Sequence, residues 1–137
     1  MATAPVKPEP VVAPWARPFW DAAARGVLAI QYCESCRRFI FYPRVACPHC
    51  GSDNVVWREA SGRATLYSFT IVENNAPSAF LADMPFVVAV VRLEEGVQML
   101  SNIVDCDPAT VRCDMNLIVT FKRLNEAFVL PQFTPVD

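Results

Sequence analysis

The chain has 137 residues, the size of one domain or two very small ones, with 53% hydrophobic and 19% charged residues. That balance belongs to a chain that folds and excludes a largely disordered one. A net charge of -2 argues against a nucleic-acid binder held by phosphate attraction, and no apolar run approaches the ~18 residues of a membrane span.

Residues 1–14 carry Pro5, Pro8, Pro10 and Pro14 among Ala and Val, and read as a flexible proline-rich tail. They have neither the charged start nor the apolar core of a secretion signal, so the expected compartment is the reducing cytoplasm. Trp15 to Gly26 reads as a short helix, with Pro18 suited to its first turn and Gly26 to a left-handed stop. Trp15, Phe19, Trp20 and Ala23 share one side. Two turns are marginal alone in water, so this stripe needs a surface. The surface is either the chain's own core or a partner subunit, and Trp15, Phe19 and Trp20 are the candidate partner interface.

From Val27 to Glu59, strand-like pieces (Leu28–Tyr32, Phe39–Tyr42 and Val55–Trp57) alternate with cysteine knuckles, a layout that fits two β-hairpins clamping a metal. From Ser61 on, the pattern is that of a small barrel. Arg63 to Val72 alternates, with Thr65, Tyr67, Phe69 and Ile71 on one face and Ala64, Leu66, Ser68 and Thr70 on the other. A loop covers Glu73 to Pro85, and the apolar run Phe86 to Leu93 predicts a strand buried on both faces. Glu94-Glu95-Gly96 turns tightly into Val97 to Val104. Asp107 caps a helical turn opened by Pro108, and Asn116–Leu124 and Phe128–Phe133 supply the last strands. Five strands with a turn of helix between the third and fourth match an OB-fold. The expected architecture is mainly β: tail and docking helix over 1–27, a rubredoxin-like zinc ribbon over 28–60, and a five-stranded OB-fold barrel over 61–137.

Cys33, Cys36, Cys47 and Cys50 form two Cys-x-x-Cys units ten residues apart. A two-residue gap lets both cysteines of one knuckle reach the same ion, and four thiolates satisfy tetrahedral zinc. Gly51 follows the second knuckle where the backbone must turn left-handed and direct its N–H at sulfur. In the first knuckle Arg37 takes that place, at a cost of ~1 kcal/mol. Four protein ligands leave no position for water or substrate, so the zinc is expected to be structural. His49, the only histidine, reads as an exposed knuckle residue. Cys106 and Cys113 read as free thiols, for which no second histidine exists as a base. Asp105, Asp107 and Asp114 sit near a turn that capping explains. No glycine-rich phosphate loop occurs, and independent catalysis is not expected.

Charge divides unevenly. Through Ser61 there are seven Lys or Arg against five Asp or Glu; from Gly62 on there are five against nine. An OB-fold that grips single strands needs a positive groove, and here the barrel is the acidic half. An anionic ligand would favour the ribbon, where Arg37, Arg38, Arg44 and Arg58 cluster in sequence.

The succession of a Pro-Phe-Trp helix, the four-cysteine ribbon with Phe41-Tyr42-Pro43-Arg44, and Gly62 to Thr70 with Tyr67-Ser68-Phe69-Thr70 resembles one family. Pro85-Phe86-Val87-Val88-Ala89, Glu95-Gly96, Asn102-Ile103-Val104, Asp107-Pro108 and Leu130-Pro131-Gln132-Phe133 extend the likeness over about residues 15–135. It is the zinc-ribbon plus OB-fold family of thiolase-associated accessory proteins, formerly a domain of unknown function. The resemblance implies a non-catalytic subunit that binds and stabilises a thiolase-fold partner in a hetero-oligomer. Such partners are thiolases, hydroxymethylglutaryl-CoA synthases or lipid-transfer-protein-like aldolases acting on acyl-CoA thioesters, including those of steroid side chains. It further implies that a CoA thioester is bound only in the complex, with Arg37, Arg38 and Arg44 as candidates for its phosphates. Arg37 and Cys113 depart from the family, which often has glycine at both places. The rival expectations are a nucleic-acid-binding zinc-ribbon/OB module and an independent acyl-CoA binder or hydrolase.

Overall fold

The computed structural model describes residues 6–136; the first five residues of the proline-rich tail lie outside them. A 3-10 turn at Pro14–Ala16 leads into helix α1 (Arg17–Ala24), and Gly26 ends it at φ +75°. The stripe folds inward. Phe19 is 6% exposed, edge-on to Trp20 with centroids 5.1 Å apart and 5.7 Å from Phe41. Trp20 meets Phe128 edge-on at 5.4 Å. The surface this helix packs on is the chain's own core, to which Phe19 belongs. Trp15, 48% exposed, keeps its side chain outside.

Strands β1 (Ala29–Cys33), β2 (Arg38–Ile40) and β3 (Val55–Glu59) form an antiparallel sheet in the order β2-β1-β3. Only the first knuckle sits in a hairpin, between β1 and β2. The second is carried by the irregular run between β2 and β3, where Pro43 and Pro48 have no N–H to give to a ladder. One hairpin thus replaces the two expected.

The barrel consists of β4 (Arg63–Val72), β5 (Phe86–Leu93), β6 (Gln98–Ile103), β7 (Asn116–Arg123) and β8 (Val129–Pro135), closed in the order β4-β5-β6-β8-β7. This is the OB arrangement, with a 3-10 turn at Pro108–Thr110 between its third and fourth strands. Asp107 caps that turn as expected, its Oδ1 accepting from Ala109 N–H at 3.0 Å. The closing seam between β6 and β8 is short and parallel, with Ile103 opposite Phe133. Val104 N–H donates to the Phe133 carbonyl at 2.8 Å, and Ser101 Oγ donates to the Pro131 carbonyl at 3.0 Å.

Two strand expectations change. The register of β4 against β5 shifts between Leu66 and Ser68. Ala64 and Leu66 face the core before the bulge, while Phe69 and Ile71 pack on it afterwards, because one extra residue exchanges the two faces. Along β5, Val87, Ala89, Val91 and Leu93 are buried, whereas Phe86, Val88 and Val90 are half-buried and Arg92 is exposed. The strand is buried on one face because its other face is the outside of a barrel.

One core runs through both halves. Phe19, Leu28, Ile30 and Ala60 belong to the same buried cluster as Leu66, Val91, Leu117 and Phe133. The expected boundary at residue 61 marks a change of element but not a break in packing. Gly62 makes this junction possible: it sits at φ +84°, and a Cβ there would lie 2.7 Å from Val119 Cγ1. The described part of the tail, residues 6–13, is tied to the barrel, with Lys7 paired to Asp83 and Glu9 bonded to Asn125. Among the described residues no helix is long and apolar enough to cross a membrane.

Candidate metal centre and docking face

The sulfur atoms of Cys33, Cys36, Cys47 and Cys50 all lie within 4.8 Å of one another. Cys33 and Cys50 are 3.6 Å apart, as are Cys36 and Cys47. A tetrahedral zinc with bonds of about 2.3 Å has S···S edges of about 3.8 Å, and a disulfide would need about 2.05 Å. The four thiols therefore fit a zinc ion.

Local backbone builds each knuckle in the same way. Arg37 N–H donates to the Cys33 carbonyl at 2.8 Å, and Gly51 N–H to the Cys47 carbonyl at 2.9 Å. Both residues are left-handed, at φ +60° and +79°. The expectation that Arg37 occupies a glycine-like position holds. The expected aim of the Gly51 N–H at sulfur does not. Sulfur receives N–H groups from inside the knuckles instead, Cys36 to Cys33 Sγ at 3.5 Å and His49 to Cys47 Sγ at 3.3 Å.

These surroundings set the thiols apart before metal arrives. The Cys36 backbone N–H draws Cys33 down to about 7. Burial, with the adjacent sulfur atoms, pushes Cys36 up to about 12. At Cys50 the Ser52 backbone N–H pulls downward, but burial and the Cys33 sulfur outweigh it and the thiol is raised. A divalent cation replaces the protons that this crowding disfavours losing one at a time.

Two polar contacts, neither foreseen, hold the ribbon in place. Gln31 on β1 is 4% exposed, yet its amide makes two bonds with the backbone of Arg44: Nε2 to the carbonyl at 2.9 Å and Oε1 from the N–H at 2.7 Å. The side chain stands in for a missing strand and holds the run that leads to Cys47. A glutamine interrupting the apolar stretch Ala29-Ile30-Gln31-Tyr32 was its only trace in the sequence. The second contact is Tyr42, whose hydroxyl accepts the Leu100 N–H of β6 at 3.2 Å and joins the ribbon to the barrel.

Two concavities flank this bridge. An 820 Å³ groove between ribbon and barrel is lined by Arg37, Arg38 and His49 on one side and by Val97, Met99 and Leu100 on the other. Arg38 Nη1 lies 3.5 Å from His49 Nδ1. A 350 Å³ apolar depression lies where helix, ribbon and barrel meet, lined by Phe19, Trp20, Tyr42, Pro43, Leu100 and Pro131. Tyr42 and Leu100, 53% and 57% exposed, stand on its rim, and Trp15 precedes Ala16 there. Of the four ribbon arginines, Arg37 and Arg38 come together in the groove. Arg58 stacks instead on Tyr32 with 3.7 Å to the ring centre, and Arg44 is not among the groove's lining residues. Cys106 and Cys113 are free thiols, the first half-buried and raised by that burial, the second exposed.

Comparison with known proteins agrees with this geometry. Residues 20–56 match the ChsH2 rubredoxin-like zinc ribbon domain, and residues 57–122 the ChsH2 C-terminal OB-fold domain. A DUF35 domain-containing scaffold protein of Methanothermobacter thermautotrophicus is 32% identical over 96 residues, covering 69% of this chain and 71% of that one. A probable enoyl-CoA hydratase alpha subunit of Thermomonospora curvata is 34% identical over 118 residues; the match takes in 85% of this chain but only 36% of that relative's length. Among solved structures, a chain of an Ltp2-ChsH2(DUF35) aldolase superposes with a TM-score of 0.85 at 31% identity, over 93% of this chain and 98% of that one. A DUF35-family protein of unknown function from Sulfolobus solfataricus shares the fold, with a TM-score of 0.64 at 17% identity over 90% and 86% of the two chains. With both domains matched in order and the archaeal scaffold protein covered over more than two-thirds of its length, this chain belongs to the ChsH2-type DUF35 family of zinc-ribbon and OB-fold proteins.

Proposed function

We propose that this chain is a non-catalytic accessory subunit that docks on, and stabilises, an enzyme of acyl-CoA metabolism, and that the enzyme is a thiolase-superfamily protein. The observation that carries the reading is the likeness, over 98% of its length, to a chain of the Ltp2-ChsH2(DUF35) aldolase, a two-component assembly by its name. Relatives named as a scaffold protein and as a hydratase subunit support the same role. The chemistry of the site is consistent with it, since a zinc held by four thiolates has no open position.

The docking face is the apolar depression rimmed by Tyr42 and Leu100, and its occupant is an apolar face of the partner enzyme. Of the three aromatics first considered, Phe19 and Trp20 line the depression, while Trp15 is exposed one residue before its Ala16 wall and adds area beside it. Arg37 and Arg38 face the neighbouring groove, where they meet the CoA phosphates in the assembled complex; Arg44 does not line that groove.

Co-expression with a thiolase-superfamily protein tests the reading. The expected result is a stoichiometric hetero-oligomer with higher turnover of an acyl-CoA thioester than the partner alone. Leu100→Glu should break the complex, and the double variant Arg37→Ala, Arg38→Ala should raise KM for the thioester with kcat kept. A chain that stays monomeric and leaves the partner's rate unchanged refutes it.

A further inference from the structure

Residues 6–13 run as a strap over the barrel and are fastened to it at two loops. Lys7 Nζ lies 2.6 Å from Asp83 Oδ2 and 5.6 Å from the centre of the Phe80 ring. Both partners are on the loop joining β4 to β5. Two residues on, Glu9 Oε1 accepts from Asn125 Nδ2 at 2.9 Å, on the loop joining β7 to β8. In an OB barrel the loops between strands one and two and between strands four and five bound the face that takes ligands. The strap bridges those two loops.

Beneath the bridge lies a 440 Å³ cavity at the ends of the second and third barrel strands, walled by Phe80, Phe86, Leu124 and Leu130 and reached by Lys7 and Cys106. Asp83 is held below the usual carboxylate range, first by its hydrogen bond to Lys7 and then by the nearby charges of Lys7 and Lys122. The carboxylate is thus charged, and paired to the strap, at neutral pH.

We propose that residues 6–13 are a strap that locks these two loops together and restricts access to the cavity between them. Cys106, half-buried, lines this cavity and reports on access to it.

The test uses the zinc-loaded chain in a Cys113→Ser background, so that Cys106 is the only thiol not on the metal. Its alkylation by a maleimide is followed by intact mass. Lys7→Glu should speed labelling about three- to fivefold, the scale of losing one partly exposed ion pair. Asp83→Lys should do the same. Combining the two restores the pair with its charges exchanged, and the rate should return close to the parental value. Removing residues 1–13 should speed labelling about tenfold or more, as expected when a fastened segment is lost. Parental labelling in a truncated chain that keeps its zinc and its circular dichroism overturns the proposal. So does a double variant that labels as fast as either single one.

Discussion

Replacing Gln31 by Met tests whether a buried amide, and not only the cysteine spacing, sets the affinity for zinc. Methionine keeps the length and the burial of the side chain but can neither donate to the Arg44 carbonyl nor accept from its N–H, the bonds seen at 2.9 and 2.7 Å. Two such bonds contribute about 1 kcal/mol each, so about 2 kcal/mol is lost, more if the freed backbone groups find no water. Arg44 stands three residues before Cys47, so the loss falls on the half of the site that lacks a hairpin. At 1.4 kcal/mol per decade, 2 kcal/mol weakens zinc binding about 30-fold. The same loss lowers the melting temperature of the zinc-loaded chain by about 8 °C for a protein of this size. Competition against a chromogenic chelator reads the first quantity and a thermal melt the second. Parental affinity and melting temperature in Gln31→Met would show that the second knuckle holds itself in place, and the clamp would have no energetic meaning.

Other perturbations probe the backbone and the thiols. Arg37→Gly relieves a left-handed arginine and should raise the denaturation midpoint by about 1 kcal/mol of stability; a lower midpoint would mean that the side chain contributes more than the strain costs. Gly62→Ala should destabilise by about 3 kcal/mol or more, since it adds left-handed strain to a 2.7 Å approach to Val119 Cγ1. Adding Val119→Ala should relieve the clash and leave the strain, and an unchanged single variant in urea denaturation would contradict both terms. Zinc affinity should rise with pH. Cys36 and Cys50 have raised values and shed protons to bind, so near pH 7.5 the logarithm of the affinity should climb by about two or more per pH unit. Below about 7 Cys33 is protonated as well and the slope should steepen; an affinity flat between pH 6 and 8 excludes thiolate ligation.

What could be read from the sequence was what is local along the chain. The metal site depends on two gaps of two residues and on one left-handed position after each, and all of that lies within nineteen consecutive residues from Cys33 to Gly51. The tight turn at Gly96 and the cap at Asp107 were legible for the same reason. The bulge in β4 was not, because Leu66-Tyr67-Ser68 contains no glycine to mark an extra residue, and the count is set by pairing with β5. Phe19 could be placed on an aromatic stripe, but its partner Phe41 lies beyond the first knuckle, so the stripe alone could not say whether the surface was internal. The strap was the least legible feature. Glu9 and Asn125 stand 116 positions apart, and a proline-rich run looks the same in composition whether fastened or free.

The shared core changes what the zinc is for. If ribbon and barrel packed separately, losing the metal would unfold one and spare the other. Here Cys33, Ile40 and Cys47 form a small cluster beneath the ribbon sheet, while Ile30, on the same strand as Cys33, belongs to the barrel's cluster. Phe39 and Phe41, just after the first knuckle, pack against that larger cluster, and Tyr42 follows with its hydroxyl on the Leu100 N–H. The metal therefore fixes one end of a run of packed residues whose other end is the rim of the proposed docking face. Removing zinc with a chelator should first free Tyr42 and open the depression, well before the barrel strands exchange their amide protons. Hydrogen exchange decides the order: early loss of protection at the Leu100 amide, with Leu66 and Val91 still protected, is the expected pattern. Simultaneous loss across all three would mean that zinc supports the whole fold at once and has no particular hold on the apolar depression.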